Sequence, residues 1–234
     1  MMEISHLEID WQFLKESYAV SLTTAVAMIF LEVVTWDEKW HHQWKQDKIR
    51  KLYSQAILSN LFHFFVIGPA AYGFASAFIS WMGHCNPSYV AIPGCLLLQG
   101  FGYTVIHSWM HIPSNYWIHK YHHTYNEHTF VRPITANAVT VVEFILAYLL
   151  TNVIAVLVFR PEVLDMYYIV MSVSMANLLI HTNPKIISMS FLPNFLCSNE
   201  KHVHHHKDNV CANYSAPIFN FDRFLKFQQN QKNK

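Results

Sequence analysis

Charged side chains are scarce in this chain of 234 residues, and their scarcity limits what the protein can be. Asp, Glu, Lys and Arg together make up 13% of the residues, against about 25% in ordinary soluble domains. The formal net charge is only +1, so the composition gives no sign of the basic surface of a nucleic-acid-binding protein. Because the charges are missing from long apolar runs, the composition indicates an integral membrane protein that forms one compact bundle.

Sequence patterns for disulfides and redox cofactors are missing as well. The four cysteines are far apart and form no CxxC pair, so we expect thiols in a reducing compartment rather than a disulfide framework or a zinc knuckle. The sequence also has no GxGxxG, no haem-binding HPGG and no iron–sulfur cysteine pattern. Any nicotinamide, haem or iron–sulfur chemistry must therefore be supplied by another protein.

The apolar runs that are present predict an all-α, multi-pass transmembrane helical bundle of four to five spans. The first run is marginal in length and has Glu32 near its end, so a tilted or half-inserted helix is an alternative to a full span. The second run contains His63, which we expect to form a hydrogen bond inside the bundle rather than to bind a metal. The five runs are 18–35, 55–82, 89–106, 139–159 and 163–180.

Tryptophan and positive charge are combined between the first two runs. Trp36, Trp40 and Trp44 recur every four residues, and Lys and Arg side chains accompany them. A tryptophan stripe beside basic residues predicts a helix that lies in the headgroup region. We expect the neighbouring His41 and His42 to be interfacial polar residues rather than metal ligands.

Histidine is present in excess: the chain has sixteen, as many as Lys and Arg together. Three clusters have the spacing of one helical face, namely an i, i+4 pair and two i, i+3, i+4 triplets. Histidine is the commonest side-chain metal ligand, and neutral imidazole suits Fe, Zn, Cu and Ni. The three clusters supply more imidazoles than one tetrahedral zinc can use, so the spacing predicts two metals. The clusters are His107 with His111, then His119, His122 and His123, and finally His202, His205 and His206.

The three clusters are predicted to lie on one side of the membrane. The last two spans form a hairpin, so the segments before and after it, 107–138 and 181–234, share a side. The basic loop 36–54 is separated from 107–138 by another hairpin and therefore joins them. Short loops rich in Lys and Arg are cytoplasmic, so we expect a cytoplasmic, histidine-rich helical cap that holds a single site.

The residues between the histidines exclude two common kinds of metal site. The motif HSWMH resembles the zincin HExxH only superficially, because Ser108 stands where that motif has its general-base glutamate. The clusters also lack the Glu-x-x-His pattern of carboxylate-rich bundle sites. Histidine ligation without carboxylates suits iron that binds and activates O2. A metal-handling membrane protein is an alternative, but transporters place their ligands within spans, whereas these histidines lie at span ends.

The order HxxxH, HxxHH, a later single histidine and HxxHH resembles the fatty acid hydroxylase/sterol desaturase superfamily of integral-membrane di-iron oxygenases. The resemblance includes HTNP at 181–184 and the ending NYSAPIFNFDRFLKF at 213–227. In this ending Asp222, Arg223 and Phe224 match, and Phe221 stands for a tryptophan. The predicted division of the chain is 1–94 for the N-terminal spans with the basic segment, 95–227 for the fatty acid hydroxylase-like domain and 228–234 for a polar tail.

Carried over position by position, the resemblance implies a non-haem di-iron centre held by histidines. We expect His204, inside the third cluster, and His128, just after the second, to contact the ligands; the alternatives are that His204 substitutes for a neighbouring ligand and that His128 is itself a ligand. Asp222 is expected to be structural, in an ion pair with Arg223 or with a histidine of the clusters. The implied metal ligands are His107, His111, His119, His122, His123, His181, His202, His205 and His206.

The sequence departs from the family at one place. Family members carry a His-Pro-x-Glu/Asp element at the start of the next span, and here the matching stretch is TVVE, so Thr140 replaces the histidine and Glu143 remains. Glu143 is then either a carboxylate that holds a metal ligand or a polar residue near the membrane boundary. If the missing histidine is a ligand, one metal has an open position, and the alternative is a catalytically impaired, non-enzymatic relative.

The resemblance implies an oxidoreductase that uses O2 to hydroxylate or desaturate a C–H bond of a sterol, fatty acyl or sphingoid lipid. The implied electron donor is cytochrome b5 or a ferredoxin-type protein with an NAD(P)H reductase, and the implied location in a eukaryote is the endoplasmic reticulum membrane. Lys120, Arg132, Lys201 and Lys207 lie beside the clusters and are candidates for docking an acidic donor or for contacts with headgroups.

Overall fold

Five helices long and apolar enough to cross a membrane form the body of the protein. The computed structural model describes residues 11–83, 85–126, 128–207 and 213–222, and its elements are helices throughout. This confirms the predicted all-α bundle at the upper end of the expected number of spans. The spans are α1 (Trp11–Val34), α3 (Asp47–Met82), α4 (Ser88–Met110), α5 (Val141–Phe159) and α6 (Val163–Ile180), and two short helices are α2 (Glu38–Trp44) and α7 (Asn199–His205).

The first span is a full helix, longer than the apolar run that predicts it. Its buried face is largely polar and includes Ser17, Ser21 and Thr24, whereas Leu22 and Val26 face outward. In a bilayer the outward face meets hydrocarbon, so polar side chains are found inside the bundle. This inside-out pattern is what we expect of a helix that spans a membrane.

Backbone chemistry fixes the points at which the helices begin and end. Gly83 ends α3 in the left-handed region, with φ of 70°, where a residue without a Cβ is favoured. Arg160 ends α5 at φ of 42° and is followed by Pro161, which cannot continue the helix. Asp37 begins α2 by accepting a hydrogen bond from the Trp40 N–H at 2.7 Å.

Two spans contain a π-helical turn, His63–Ile67 in α3 and Phe144–Leu150 in α5. In α3 the N–H of Gly68 donates to the His63 carbonyl, five residues back. Pro69 has no N–H to donate, and the carbonyl of Phe65 instead accepts a hydrogen bond from the Tyr18 hydroxyl at 3.3 Å. Such turns occur often at functional sites.

A buried ion pair ties the first span to the segment before α5. Arg132 donates from Nε to Glu32 Oε1 at 2.6 Å and from a second nitrogen to the Glu32 carbonyl at 2.8 Å. The guanidinium carbon lies 4.9 Å from the centroid of the Trp40 ring, a cation–π distance. Arg132 is 5% exposed, so the prediction that it faces a docking partner or headgroups is wrong.

The tryptophan stripe is also placed differently from the prediction. Residues 36–54 form two helical pieces, and Trp40 is 1% exposed. Its ring packs on Phe130 with centroids 4.9 Å apart, so it belongs to the core rather than to the headgroup region. Trp36 remains exposed at 45%, as an interfacial residue would be.

The three segments predicted to share a membrane side meet at one end of the bundle. Asn183, after α6, donates to the carboxylate of Asp37 at 2.7 Å. Tyr125, after α4, donates from its hydroxyl to the carbonyl of Leu52 at 3.2 Å. This end carries all the histidine clusters.

Candidate metal centre

Three of the candidate ligands lie at the ends of spans. His107 lies in the last turn of α4, and His111 directly follows that helix. His181 follows the end of α6 in the same way. These imidazoles therefore lie at the ends of candidate spans, as the sequence predicted.

The second cluster lies on a chain of turns, which corrects the prediction of a regular helix. After α4 the backbone passes through successive turns to a short 3-10 helix, His122–Thr124. Pro113 lies just after the end of α4, where proline is common because it cannot continue a helix. A hydrogen bond from the His123 N–H to the His119 carbonyl at 3.3 Å still keeps these two residues one turn apart. The third cluster lies on α7 as predicted.

The nine imidazoles separate into two groups of potential ligands. Within each group, one nitrogen of every ring lies within 4.8 Å of the others. Both HxxHH clusters are divided: the histidines at i and i+4 join one group, and the histidine at i+3 joins the other. The five-histidine group is His107, His111, His119, His123 and His205, and the four-histidine group is His122, His181, His202 and His206.

Hydrogen bonds from Nδ1 fix the orientation and the tautomer of several rings. His119 donates from Nδ1 to a carboxylate oxygen of Glu143 at 2.6 Å, and other rings donate to backbone carbonyls. A carbonyl oxygen can only accept, so a neutral ring carries its proton on Nδ1 and has a lone pair on Nε2. The carbonyl contacts are His107 to Tyr214 at 2.7 Å, His181 to Asn177 at 2.7 Å, His206 to Tyr125 at 2.8 Å and His122 to Ala138 at 3.4 Å.

The inward-facing nitrogens are too close together for neutral rings alone. Nε2 of His107 lies 2.9 Å from Nε2 of His119, and the bonds from Nδ1 leave both atoms without a proton. Two lone pairs at this distance repel, and a bound cation removes the repulsion. In the other group Nε2 of His202 lies 3.0 Å from that of His181 and 3.3 Å from that of His206. A single proton on Nε2 of His202 could form a hydrogen bond with only one of these two neighbours. The donor set therefore fits metal ions held by imidazole nitrogen.

Burial keeps the imidazoles neutral, which is the form that binds metal. Burial and the neighbouring imidazoles lower the pKa of His111 to about 2, and burial lowers the pKa of His181 to about 4. His123 is 6% exposed, and neither of its nitrogens has a hydrogen-bond partner in the part of the chain that the structure describes. Burial likewise lowers the pKa values of His119, His122, His123, His202 and His206.

Glu143 and Thr140 support the five-histidine group from the first turn of α5. Glu143 is 1% exposed, and its contact with His119 favours the first of its two predicted roles, a carboxylate that orients a ligand. The Thr140 hydroxyl accepts a hydrogen bond from the Glu143 N–H at 3.1 Å and donates to the Ile118 carbonyl at 3.0 Å. Both groups assemble from histidines elsewhere in the chain.

Asp222, in the C-terminal signature, supports a loop that contacts the centre. Its carboxylate accepts hydrogen bonds from the backbone N–H of Tyr214 at 3.0 Å and of Ser215 at 3.3 Å. Burial raises the pKa of Asp222. Because the Tyr214 carbonyl accepts from His107, Asp222 holds the loop that orients this imidazole. The predicted partner Arg223 lies outside the described residues.

Two of the predicted auxiliary histidines are not brought to the centre. His204 and His128 are exposed and belong to neither group, so the structure does not place them among the potential ligands. On α7 His202 and His205 are buried, whereas His204 between them is exposed. His63 is 1% exposed and donates from Nδ1 to the Asn137 carbonyl at 3.1 Å, as expected of a bundle histidine.

Lysines lie around the aqueous rim of the centre. Lys120 is exposed and Lys201 is half-buried. Lys207 lines a broad groove beside α7 together with Lys39 and Lys185. The groove also contains carboxylates, but its exposed charge is mainly positive.

One comparison with known proteins identifies a family. A family model described as fatty acid hydroxylase matches residues 92–226, more than half of the chain. The match includes every histidine of the two groups. Comparison with curated proteins and with solved structures found no match.

Proposed function

The chain belongs to the fatty acid hydroxylase family, and from this premise we propose that it is a membrane-bound oxidoreductase that uses O2 to hydroxylate or desaturate a lipid. The observation that carries the proposal is the division of nine histidines into two groups, each able to hold a metal ion. The five-histidine group would hold one non-haem iron and the four-histidine group a second. When bound, the two irons would supply the reductive activation of O2 and the oxidation of an aliphatic C–H bond.

The protein's own residues prepare this chemistry by orienting and shielding the ligands. Nδ1 contacts to backbone carbonyls and to Glu143 turn the Nε2 lone pairs inward, which is how outer contacts usually tune a metal site. Eight of the nine rings are almost fully buried, so water is kept from the ligands. The position at the span ends lets a lipid chain approach from the bilayer without leaving it.

The substrate class, the electron donor and the membrane orientation belong to the same proposal. The substrate is a lipid with an unactivated C–H bond, of the sterol, fatty acyl or sphingoid class. Electrons come from cytochrome b5 or a ferredoxin-type protein with an NAD(P)H reductase, and the lysine-lined groove beside α7 suits an acidic donor. The basic segment at this end supports a cytoplasmic orientation, in the endoplasmic reticulum membrane if the source is eukaryotic.

Both alternatives raised by the sequence have less support than the oxidase. The non-enzymatic relative depends on a ligand lost at Thr140, yet Thr140 caps α5 and positions Glu143, and both histidine groups form without it. A metal transporter would need ligands along its path near the midplane, whereas these groups lie at one end of the bundle.

Metal content is the first test of the proposal. Detergent-purified protein is expected to contain close to two irons per chain, and the His122→Ala/His205→Ala variant, which removes one ligand from each group, is expected to lose most of this metal. The matched control is His128→Ala/His204→Ala, in which two exposed histidines of the same segments are removed. The wild type should also consume O2 with lipid and a reduced donor. One metal or none in the wild type, or iron without O2 consumption, would favour the non-enzymatic relative.

A further inference from the structure

A segment of irregular backbone lies buried beside the metal centre, just before α5. It consists of residues 136–139, which follow the 3-10 turn Pro133–Thr135, and each of its residues is at most 5% exposed. Buried carbonyls outside regular structure need hydrogen-bond donors from other parts of the protein. We call this stretch the 136–139 segment.

The 136–139 segment orients one ligand of the four-histidine group. The carbonyl of Ala138 accepts the Nδ1 hydrogen bond of His122 at 3.4 Å, which is longer than the usual range of about 2.7–3.2 Å. A further shift of the segment by a few tenths of an ångström would break this bond. The position of the segment therefore decides whether the Nε2 lone pair of His122 points toward the metal.

Asn177, on α6, holds the segment from one side. Its amide nitrogen donates to the Ala136 carbonyl and to Oδ1 of Asn137, each at 3.2 Å. The Tyr148 hydroxyl lies 3.4 Å from the same nitrogen. A backbone carbonyl can only accept a hydrogen bond, so the amide must turn its nitrogen toward the segment. Asn177 is 2% exposed, which leaves this amide no competition from bulk water.

Two side chains of α3 hold the segment from the opposite side. The Ser59 hydroxyl donates to the Val139 carbonyl at 3.2 Å. His63 donates from Nδ1 to the Asn137 carbonyl at 3.1 Å. The segment is therefore held between α3 and α6, and Asn177 provides the α6 side.

Asn177 also orients a second ligand of the same group, through its own backbone. At the end of α6 the His181 N–H donates to the carbonyls of Leu178 and Leu179. The Asn177 carbonyl can therefore accept from Nδ1 of His181, at 2.7 Å. His122 and His181 both belong to the four-histidine group, with ring centroids 5.5 Å apart. One residue thus connects the acceptors of two ligands.

The five-histidine group is supported by other residues. His119 donates to Glu143, and the Thr140 hydroxyl accepts from the Glu143 N–H. The same hydroxyl donates to the Ile118 carbonyl, so the start of α5 is fixed to the chain next to His119. These contacts do not involve Asn177, and the two groups therefore have separate supports.

We propose that Asn177 is a positioning residue for the metal of the four-histidine group and not for the other metal. Its amide fixes the 136–139 segment, and with it the acceptor for His122, while its carbonyl fixes His181. The inference rests on the proposed function for the identity of the two metals as irons. A neutral amide thus supports one iron as the Glu143 carboxyl group supports the other, and the two affinities can be changed independently.

The test is an anaerobic Fe(II) titration of the purified full-length protein, which gives a dissociation constant for each of the two sites. Asn177→Leu keeps the backbone carbonyl and removes the amide, and it should raise one dissociation constant by about 10-fold. Glu143→Gln should raise the other constant by about 10-fold, and the double variant should raise both. If both variants weaken the same site, or if Asn177→Leu weakens both sites or neither, the assignment is wrong.

A second variant tests the same contact with a smaller change. Asn137→Ala removes the Oδ1 acceptor and should weaken the same site as Asn177→Leu, by a smaller factor. Combined with Asn177→Leu it should add nothing, because the contact is already lost. The matched control is Asn152→Leu: Asn152 is a buried asparagine of α5 whose amide donates to the Tyr148 carbonyl at 2.9 Å. This control should leave both constants unchanged, and a site-selective loss in it equal to that of Asn177→Leu would contradict the proposal.

Two further readouts locate any failure. The melting temperature of the metal-free protein is measured for each variant, and weakening of both sites together with a lower melting temperature would show a general loosening of the bundle instead of positioning. The number of binding steps in the wild type tests the proposed function separately. Fewer than two steps would refute the two-iron centre, whereas two steps without a selective effect of Asn177→Leu would refute only the role of Asn177.

Discussion

Replacing the carboxyl group of Glu143 should weaken one metal site and leave the other unchanged. Glu143 accepts from Nδ1 of His119 at 2.6 Å, and this ring belongs only to the five-histidine group. Loss of such an outer contact typically costs 10- to 100-fold in metal affinity, or about 1.4 to 2.7 kcal/mol. Glu143→Gln keeps an oxygen that accepts the hydrogen bond, so its loss of metal affinity should be near 10-fold. Glu143→Leu removes the acceptor, so its loss should be near 100-fold.

The assay is an anaerobic Fe(II) titration of metal-free protein in detergent, in which two binding steps are resolved. Only one step should weaken in the variants. Stability of the metal-free protein should hold in Glu143→Gln, because the other carboxylate oxygen, Oε2, is buried and has no hydrogen-bond partner among the described residues. Glu38→Gln, an exposed carboxylate on α2, is the control. Equal weakening of both steps, or no weakening, would refute the assignment of Glu143 to one group.

Other parts of the structure give three more expectations. Asp222→Ala frees the Tyr214 backbone and should lower iron content, because the carbonyl that orients His107 is no longer held; iron analysis at fixed chelator concentration checks this, and unchanged content would contradict it. Arg132→Leu leaves the Glu32 carboxylate buried without its partner and should destabilise the fold by about 3 to 5 kcal/mol, read as a lower melting temperature, whereas Glu32→Gln/Arg132→Leu should recover part of the loss. Metal-free protein should lose stability as the pH falls below about 6.5. In the unfolded chain the histidines bind protons at this pH, whereas the buried rings of the folded protein, with their lowered pKa values, do not. Each such histidine contributes up to about 1.4 kcal/mol of lost stability per pH unit. Metal-loaded protein should resist this loss to a lower pH, and identical melting of the metal-free form at pH 7.5 and pH 5.5 would show that the rings are not buried as neutral imidazoles.

Eight of the nine histidines that gather at the candidate centre could be predicted from their spacing, because metal ligation leaves a spacing signal, and His181 was predicted from the resemblance to the family. The i, i+3, i+4 pattern of each HxxHH cluster predicts that its three rings share a face. It does not predict that i+3 joins a different group from i and i+4. That division depends on where the other segments lie, and His181 and His107 reach the centre from different spans.

The hydrogen bonds that orient the rings could not be predicted from residue types. Most of the acceptors are backbone carbonyls, such as those of Tyr214 and Asn177, and every residue has one. Glu143 was identifiable because a carboxylate at a span end is unusual, and because it matches the acidic residue of the family's His-Pro-x-Glu/Asp element. Asp222 acts on His107 indirectly, through the Tyr214 backbone, and this connection can be seen only in the fold.

The tryptophan periodicity gave a wrong environment for Trp40. Tryptophan every four residues marks a helix face, but the pattern is the same whether the face meets headgroups or protein. Trp40 is buried because Arg132 and Phe130, far away in sequence, pack on it. Glu32 near the end of the first run suggested a marginal span, whereas its partner is Arg132, a hundred residues later. Long-range pairs of this kind carry no local signal.

The departure at Thr140 is best understood together with Glu143. A histidine at this position could offer an imidazole, but it could not cap α5 with a short side chain. Thr140 does this through its hydroxyl, and the same hydroxyl contacts the Ile118 carbonyl next to His119. One side chain thus connects the start of α5 to the second histidine cluster and fixes the distance between Glu143 and His119. The Thr140 hydroxyl therefore ties the carboxylate that contacts His119 to the segment that carries His119.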